Sequence, residues 1–258
     1  MGTSNISESY TLITGASDGI GREMAELFAQ KGNNLVLVAR RKNILEDISE
    51  NLIKLYKVKI LTMPCDLSEK ETPKAIYEWC KGKDIIIDTI VNNAGRGLFG
   101  QFNNIDIEEQ INMINLNISS LVMLNYYFIP DLLKLSKGFI LNVASIAALY
   151  PLPYYSVYGA TKAFVLSFTE ALRYELRNSN IIVSCLCPGD TDTNFFINAG
   201  NEKRKKPSTS PHVVADVAVR SLFRDEPVIF PDKAKLIAKI PRFILKKKVF
   251  KRISKYKV

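Results

Sequence analysis

Residues 10–30 read "YTLITGASDGIGREMAELFAQ", and the stretch passes from one kind of structure to another through a glycine-rich turn. "YTLIT" is a continuous apolar, β-branched run of strand type, and the segment over 18–31 has the spacing of an amphipathic helix. Between them Gly15, Gly19 and Gly21 stand where the backbone must turn tightly, approach a ligand and pack helix on strand.

The same alternation continues outward. Apolar strands are expected at 34–39, 58–64, within 84–93, at 138–145 and 181–188, with a short one in "PVIFP" at 227–231. Helices are expected over 42–56, 68–81, 106–136, 155–178 and 211–224. Strands that are apolar throughout, rather than at every second residue, belong to a parallel sheet covered on both faces. Strict alternation of strand and helix predicts an α/β fold: a single-domain, Rossmann-type doubly wound parallel sheet of about seven strands. There is no internal repeat or low-complexity linker. The domain is expected over residues 1–231, with 232–258 as a basic amphipathic extension of it.

The net charge of +9 is unevenly placed. Residues 232–258 hold eleven Lys or Arg and one Asp, whereas the other 231 residues hold 24 basic and 25 acidic residues. A nearly neutral globule thus carries a basic tail, and nothing in the globule extends that patch into a nucleic-acid surface. No apolar run approaches the ~20 residues of a membrane span, and the polar start "MGTSNISESY" lacks the apolar core of an export signal. Cys65, Cys80, Cys185 and Cys187 show no C-x-x-C spacing and read as reduced core thiols of a cytoplasmic protein. No metal site is expected.

Chemistry enters at three places. The N–H groups at the start of the first helix, after the glycine turn, can face a pyrophosphate. The second strand ends "LVLVARR", with Arg40 and Arg41 where an acidic residue would bind a ribose 2′-hydroxyl, so a 2′-phosphate, and NADP(H), is favoured. Tyr158 and Lys162 lie four residues apart, one helical turn, and an ammonium beside a phenol stabilises the phenolate. That pair can move protons in a chain whose one histidine, His212 in "SPHVVADVA", reads as structural.

The motifs "TGASDGIG" (14–21), "CDL" (65–67), "NNAG" (92–95), "NLN" (115–117), "NVAS" (142–145), "YGATK" (158–162) and "CPG" (187–189) stand in one order and spacing. In these the chain resembles the short-chain dehydrogenases/reductases from end to end, most weakly over the last ~50 residues. The resemblance implies a catalytic set of Asn117, Ser145, Tyr158 and Lys162. Tyr158 would be the general acid in reduction. Lys162 would lower its pKa and bind the nicotinamide ribose, and Ser145 would hydrogen-bond the substrate carbonyl. Asn117 would hold a water joining Lys162 to solvent. Asn115 is its rival, and Asn117 is preferred because "NISSLVML" follows it. The cofactor would meet Gly15, Ser17, Asp18, Gly19, Ile20 and Gly21 at the turn, Arg40, Arg41 and Asp66 around the adenosine end, and Asn93, Ala94 and Gly95 beyond it. Pro188, Gly189, Thr191 and Thr193, with Tyr158 and Lys162, would flank the nicotinamide half.

The substrate pocket is expected from Phe99, Ser145, Ala147, Tyr155 and Phe195, with Leu98 and Phe196 nearby, which suits an apolar substrate with one polar centre. Arg96 is read as solvated rather than as a ligand for a substrate acid. In the tail, Phe243, Phe250, Ile253 and Tyr256 are placed on one helical face among Lys and Arg. That pattern leaves three readings open: a helix packed on the globule, a peripheral membrane contact, or docking of an acidic carrier. The expected activity is NADPH-dependent interconversion of a carbonyl and an alcohol on a small molecule, a ketone, aldehyde or 3-oxoacyl compound, in a homodimer or homotetramer. The alternative is a catalytically silent NADP-binding protein recruited through its tail.

Overall fold

Leu12 and Ile13 are neighbours on one strand, both fully buried, and they point into different apolar layers. Such a strand needs cover on both faces, and the rest of the fold supplies it. The computed structural model describes residues 8–201, 208–231 and 234–253. Among the described residues the strands are β1 (Ser9–Thr14), β2 (Asn34–Ala39), β3 (Ile60–Pro64), β4 (Ile86–Asn92), β5 (Gly138–Val143), β6 (Ile181–Leu186) and β7 (Val228–Ile229). They form one parallel sheet in the order β3-β2-β1-β4-β5-β6-β7.

One face is covered by α1 (Gly19–Gln30), α2 (Lys42–Tyr56) and, later in the chain, Pro211–Phe223. Met24, Phe28, Leu45, Leu52, Val214 and Leu222 pack there on Ile13, Leu35, Leu37 and Val91. The other face takes α3 (Thr72–Gly82), Ser120–Leu132 and Ser156–Glu175, with Ile76, Leu124, Phe128 and Leu172 on Leu12, Val36, Val38 and Ile90. The chain winds outward from β1 to β3, then returns to lay β4 on the other side of β1. The connections after β1 and β4 therefore diverge, and a crevice opens at the carboxyl ends of the strands.

Two helices differ from the expectation. α3 begins at Thr72, not 68, because the Asp66 carboxylate accepts from the N–H (2.9 Å) and hydroxyl (2.7 Å) of Ser68 and holds that segment in a turn. Pro73 then opens the helix, where its missing N–H is not needed. The helical stretch over 106–136 divides into α4 (Ile107–Ile114), a π-helical turn at Asn115–Ser119 and α5 (Ser120–Leu132).

After α6 (Ser156–Glu175), α7 (Phe195–Asn198) and α8 (Pro211–Phe223), the tail forms α9 (Ala234–Ala238) and α10 (Arg242–Ile253). Leu245 of α10 is 7% exposed, whereas Phe243 is 74% and Phe250 41% exposed. The side chain of Ile253 and all of Tyr256, expected on the same face as the two phenylalanines, lie outside the described residues. Among the described residues no helix is long and apolar enough to cross a membrane.

Candidate active site

The glycine turn owes its shape to backbone that other residues rarely adopt: Gly15 and Gly19 have φ of +66° and +52°. Asp18 caps α1 by accepting from the Gly19 N–H at 2.8 Å. The turn is braced from β4. The Thr14 hydroxyl accepts from the N–H groups of Asn93 and Ala94, both at 3.0 Å, and Asn93 Nδ2 donates to Thr14 O at 2.9 Å. Gly21 lies beneath this brace rather than in the cleft wall. A Cβ there would stand 2.4 Å from both Gly15 O and Asn93 Nδ2. Gly21→Ala is therefore expected to destabilise the fold by about 1–3 kcal/mol or more, read as a lower midpoint in urea unfolding at unchanged slope.

At the end of β2, Arg41 donates to the Ser17 hydroxyl at 3.0 Å and to Ser17 O at 3.1 Å, and lies 3.7 Å from Asp18. Arg40 lies 3.6 Å from Asp66. Burial pushes the Asp66 carboxyl up, but the Ser68 hydrogen bonds and Arg40 outweigh it and hold the group below the ordinary carboxylate range. Arg40, Arg41, Ser17, Asp18 and Asp66 all face one cleft of 1430 Å³. Gly15, Gly19, Ile20, Asn93, Ala94 and Gly95 continue its wall, and Pro188, Gly189, Thr191 and Thr193 close it from the β6 side.

Ser145, Tyr158 and Lys162 line the same cleft. The π turn projects Asn117 inward, where it is 2% exposed and does not itself reach the cleft surface. Its Nδ2 donates to Arg96 O (2.9 Å) and Thr161 Oγ1 (3.0 Å), and its Oδ1 accepts from Arg96 N (3.0 Å). A Cβ on Gly95 would stand 3.2 Å from both Asn117 Oδ1 and Lys162 Nζ, so only glycine lets these two groups approach there without displacement. Asn115, by contrast, borders a separate small cavity with Leu67 and Ser68. Lys162 Nζ donates to Val143 O at 2.8 Å and sits 6.0 Å from the Tyr158 ring centre. Its burial draws its pKa from 10.5 down to about 8, with the Cys185 and Cys187 thiols opposing that shift. The Ser145 hydroxyl accepts from the Ala147 N–H at 3.1 Å, which orients it at the end of β5.

Beyond Tyr158 the cleft turns aromatic. The ring of Tyr158 packs 5.2 Å from Phe195 and 6.0 Å from Tyr155, and Phe99 lies 5.1 Å from Tyr155. The Tyr155 hydroxyl accepts from Asn201 Nδ2 at 3.0 Å. Ala147 and Phe196 also line the cleft, whereas Leu98 packs on the apolar cluster of Tyr155 and Tyr158 without lining it. Arg96 is not simply solvated: it lines the cleft and pairs with Glu109. His212 joins α8 to α1 through Glu23 at 2.9 Å.

Several residues were not legible beforehand. The hydroxyls of Thr14 and Thr161 accept from residues on other elements, Thr14 from Asn93 and Ala94 and Thr161 from Asn117. Ile237 and Val249 of the tail line the cleft, and no local pattern distinguishes them from the tail's exposed apolar residues.

The short chain dehydrogenase family model matches residues 9–204. Among curated relatives, the hydroxysteroid dehydrogenase-like protein 1 of Gallus gallus is 36% identical over 69% of this chain and 54% of its own. The very-long-chain 3-oxoacyl-CoA reductase-B of Danio rerio is 34% identical over 77% and 63%, so the chain spans less than two thirds of either relative. The solved structure of a short-chain dehydrogenase from Sphingobium yanoikuyae in complex with NADPH superposes with a TM-score of 0.83, at 31% identity over 96% of both chains. Glycine turn, Tyr-x-x-x-Lys helix, seven-stranded order and these likenesses agree, and the chain belongs to the short chain dehydrogenase family.

Proposed function

We propose that the protein is an NADP(H)-dependent oxidoreductase that interconverts a carbonyl and an alcohol on an apolar ketone, aldehyde or 3-oxoacyl-type substrate. The observation that carries this reading is the shared cleft. Ser145, Tyr158 and Lys162 line one part, an aromatic wall lies beyond them, and a glycine turn flanked by Arg40 and Arg41 lies opposite.

The residues fit the cofactor. Gly15 and Gly19 keep the backbone open to a pyrophosphate, and 1430 Å³ exceeds the roughly 300–1,000 Å³ that a drug-sized ligand takes. Arg40 and Arg41 would receive the 2′-phosphate, and the relative from Sphingobium yanoikuyae is described with NADPH. When bound, the nicotinamide supplies or accepts the hydride. Tyr158 gives its phenolic proton to the substrate oxygen in reduction and takes it back in oxidation. The Ser145 hydroxyl donates to the same oxygen. Lys162 stabilises the phenolate, and Asn117 orders the path by which solvent reprotonates it. Exposed Tyr126, Phe164 and Tyr174 on α5 and α6 fit pairing of two copies, as a homodimer or homotetramer, which light scattering on the eluting protein reads directly.

The test follows NADPH absorbance across aldehydes, ketones, quinones, 3-oxoacyl thioesters and ketosteroids, beside NADH. Turnover preferring NADPH supports the reading; bound NADPH without turnover on the panel returns the silent binding protein. Arg40→Ala with Arg41→Ala is expected to cut the preference for NADPH over NADH by about tenfold or more, since charge-assisted bonds contribute roughly 1.5–3 kcal/mol each before screening.

A further inference from the structure

We infer that α9 and α10 dock the protein on an anionic lipid bilayer, with the mouth of the cleft beside the lipid. The first ground is charge. Residues 234–253 contain eight Lys or Arg and no Asp or Glu, on a globule that is otherwise nearly neutral. The second is the orientation of α10. Leu245 is buried and Val249 lines the cleft, so that side of the helix is turned inward. Phe243 and Phe250, seven residues apart, fall within roughly 20° of each other on the opposite side. Both are exposed, and exposed Lys246 and Lys247 share their side of the helix. Exposed Leu236 on α9 extends the apolar set.

Phenylalanines flanked by lysines on an outward helix face suit a bilayer surface. The rings sink below the headgroups while the ammonium groups reach up to the phosphates. A second copy of this chain is disfavoured on the same face, since it would bring two basic tails together. The same helices contribute Ile237 and Val249 to the cleft, so a docked tail places the apolar end of the cavity next to the phase in which a lipophilic substrate dissolves.

The experiment is co-sedimentation of the full chain with phosphatidylcholine vesicles, with and without phosphatidylglycerol, at low and high salt. Partitioning is expected to be about tenfold or more stronger with phosphatidylglycerol and to weaken with salt, as about 1 kcal/mol for each lysine near the surface implies. Phe243→Ser with Phe250→Ser, and separately Lys246→Glu with Lys247→Glu, should each lower it about tenfold, with thermal melts showing both variants folded. Equal binding to both vesicles, or binding unchanged in either double variant, overturns the inference. So does capture by an acidic carrier protein without vesicle binding. The readout needs no turnover, so its failure is separate from failure of the oxidoreductase reading.

Discussion

Tyr158→Phe is expected to lower kcat by about a thousandfold or more while leaving NADPH affinity and thermal stability near those of the wild type. General acid catalysis by a placed side chain contributes roughly 10²–10⁴-fold, and here one oxygen atom is removed. The ring stays, and its packing on Tyr155 and Phe195 should hold, because those contacts are made by the ring rather than by the hydroxyl. A loss in kcat with unchanged cofactor affinity assigns the effect to the transition state. The control is Tyr155→Phe, which removes the hydroxyl that accepts from Asn201. It should alter KM or substrate preference, with little change in kcat. If Tyr158→Phe kept turnover within tenfold of wild type, another group would have to supply the proton, and the assignment would fall.

The sheet could be read from sequence because each central strand announces itself in the same way. Leu35 to Val38 are consecutive and all fully buried, so the run has no polar position to confuse with a half-exposed strand or a helix. The glycine turn was legible for a related reason: Gly15 and Gly19 occupy positive φ, which the chain marks with the one residue that adopts it freely. The start of α3 was misplaced because Ser68 is held in a turn by Asp66, a local hydrogen bond that competes with helix and leaves no periodic trace. Asn117 was preferred over Asn115 from the residues that follow it, but what each asparagine touches needed three dimensions. The π turn sends one asparagine to Arg96 and Thr161 and the other to a cavity beside Leu67, and an added residue per turn is invisible in spacing. Arg96 was misread because Glu109, its partner, lies on α4, thirteen residues on. In the tail, basic and apolar residues alternate too closely for sequence to decide which side of α10 packs; Leu245 and Val249 do, and Phe243 does not.

Lys162→Met should abolish most turnover and yet make the cofactor-free protein compare more favourably with wild type in stability at neutral pH than at high pH. Lys162 is 5% exposed, and burial brings its pKa from 10.5 to about 8. The unfolded chain therefore holds this proton more tightly than the folded one, and stability rises with pH between those two values. Below pH 8 the opposition to folding is fully present, and above 10.5, where both states are neutral, it has vanished. A shift of that size corresponds to about 3 kcal/mol at roughly 1.4 kcal/mol per unit. Methionine carries no proton, so the stability difference between variant and wild type should move by about that amount between pH 7 and 10.5, in favour of wild type as pH rises. Val143 O loses its 2.8 Å donor in the variant, a penalty of about 1–3 kcal/mol. That penalty is independent of pH, so it shifts the variant's curve uniformly without changing how the separation of the two curves varies with pH. Urea unfolding of both proteins at the two pH values measures the separation. A gap that stays constant with pH would mean that the ammonium is hydrated or paired in the folded state. A gap that moves as expected would mean that the protein keeps a charged lysine buried at the expense of stability, one helical turn from the tyrosine proposed as proton donor.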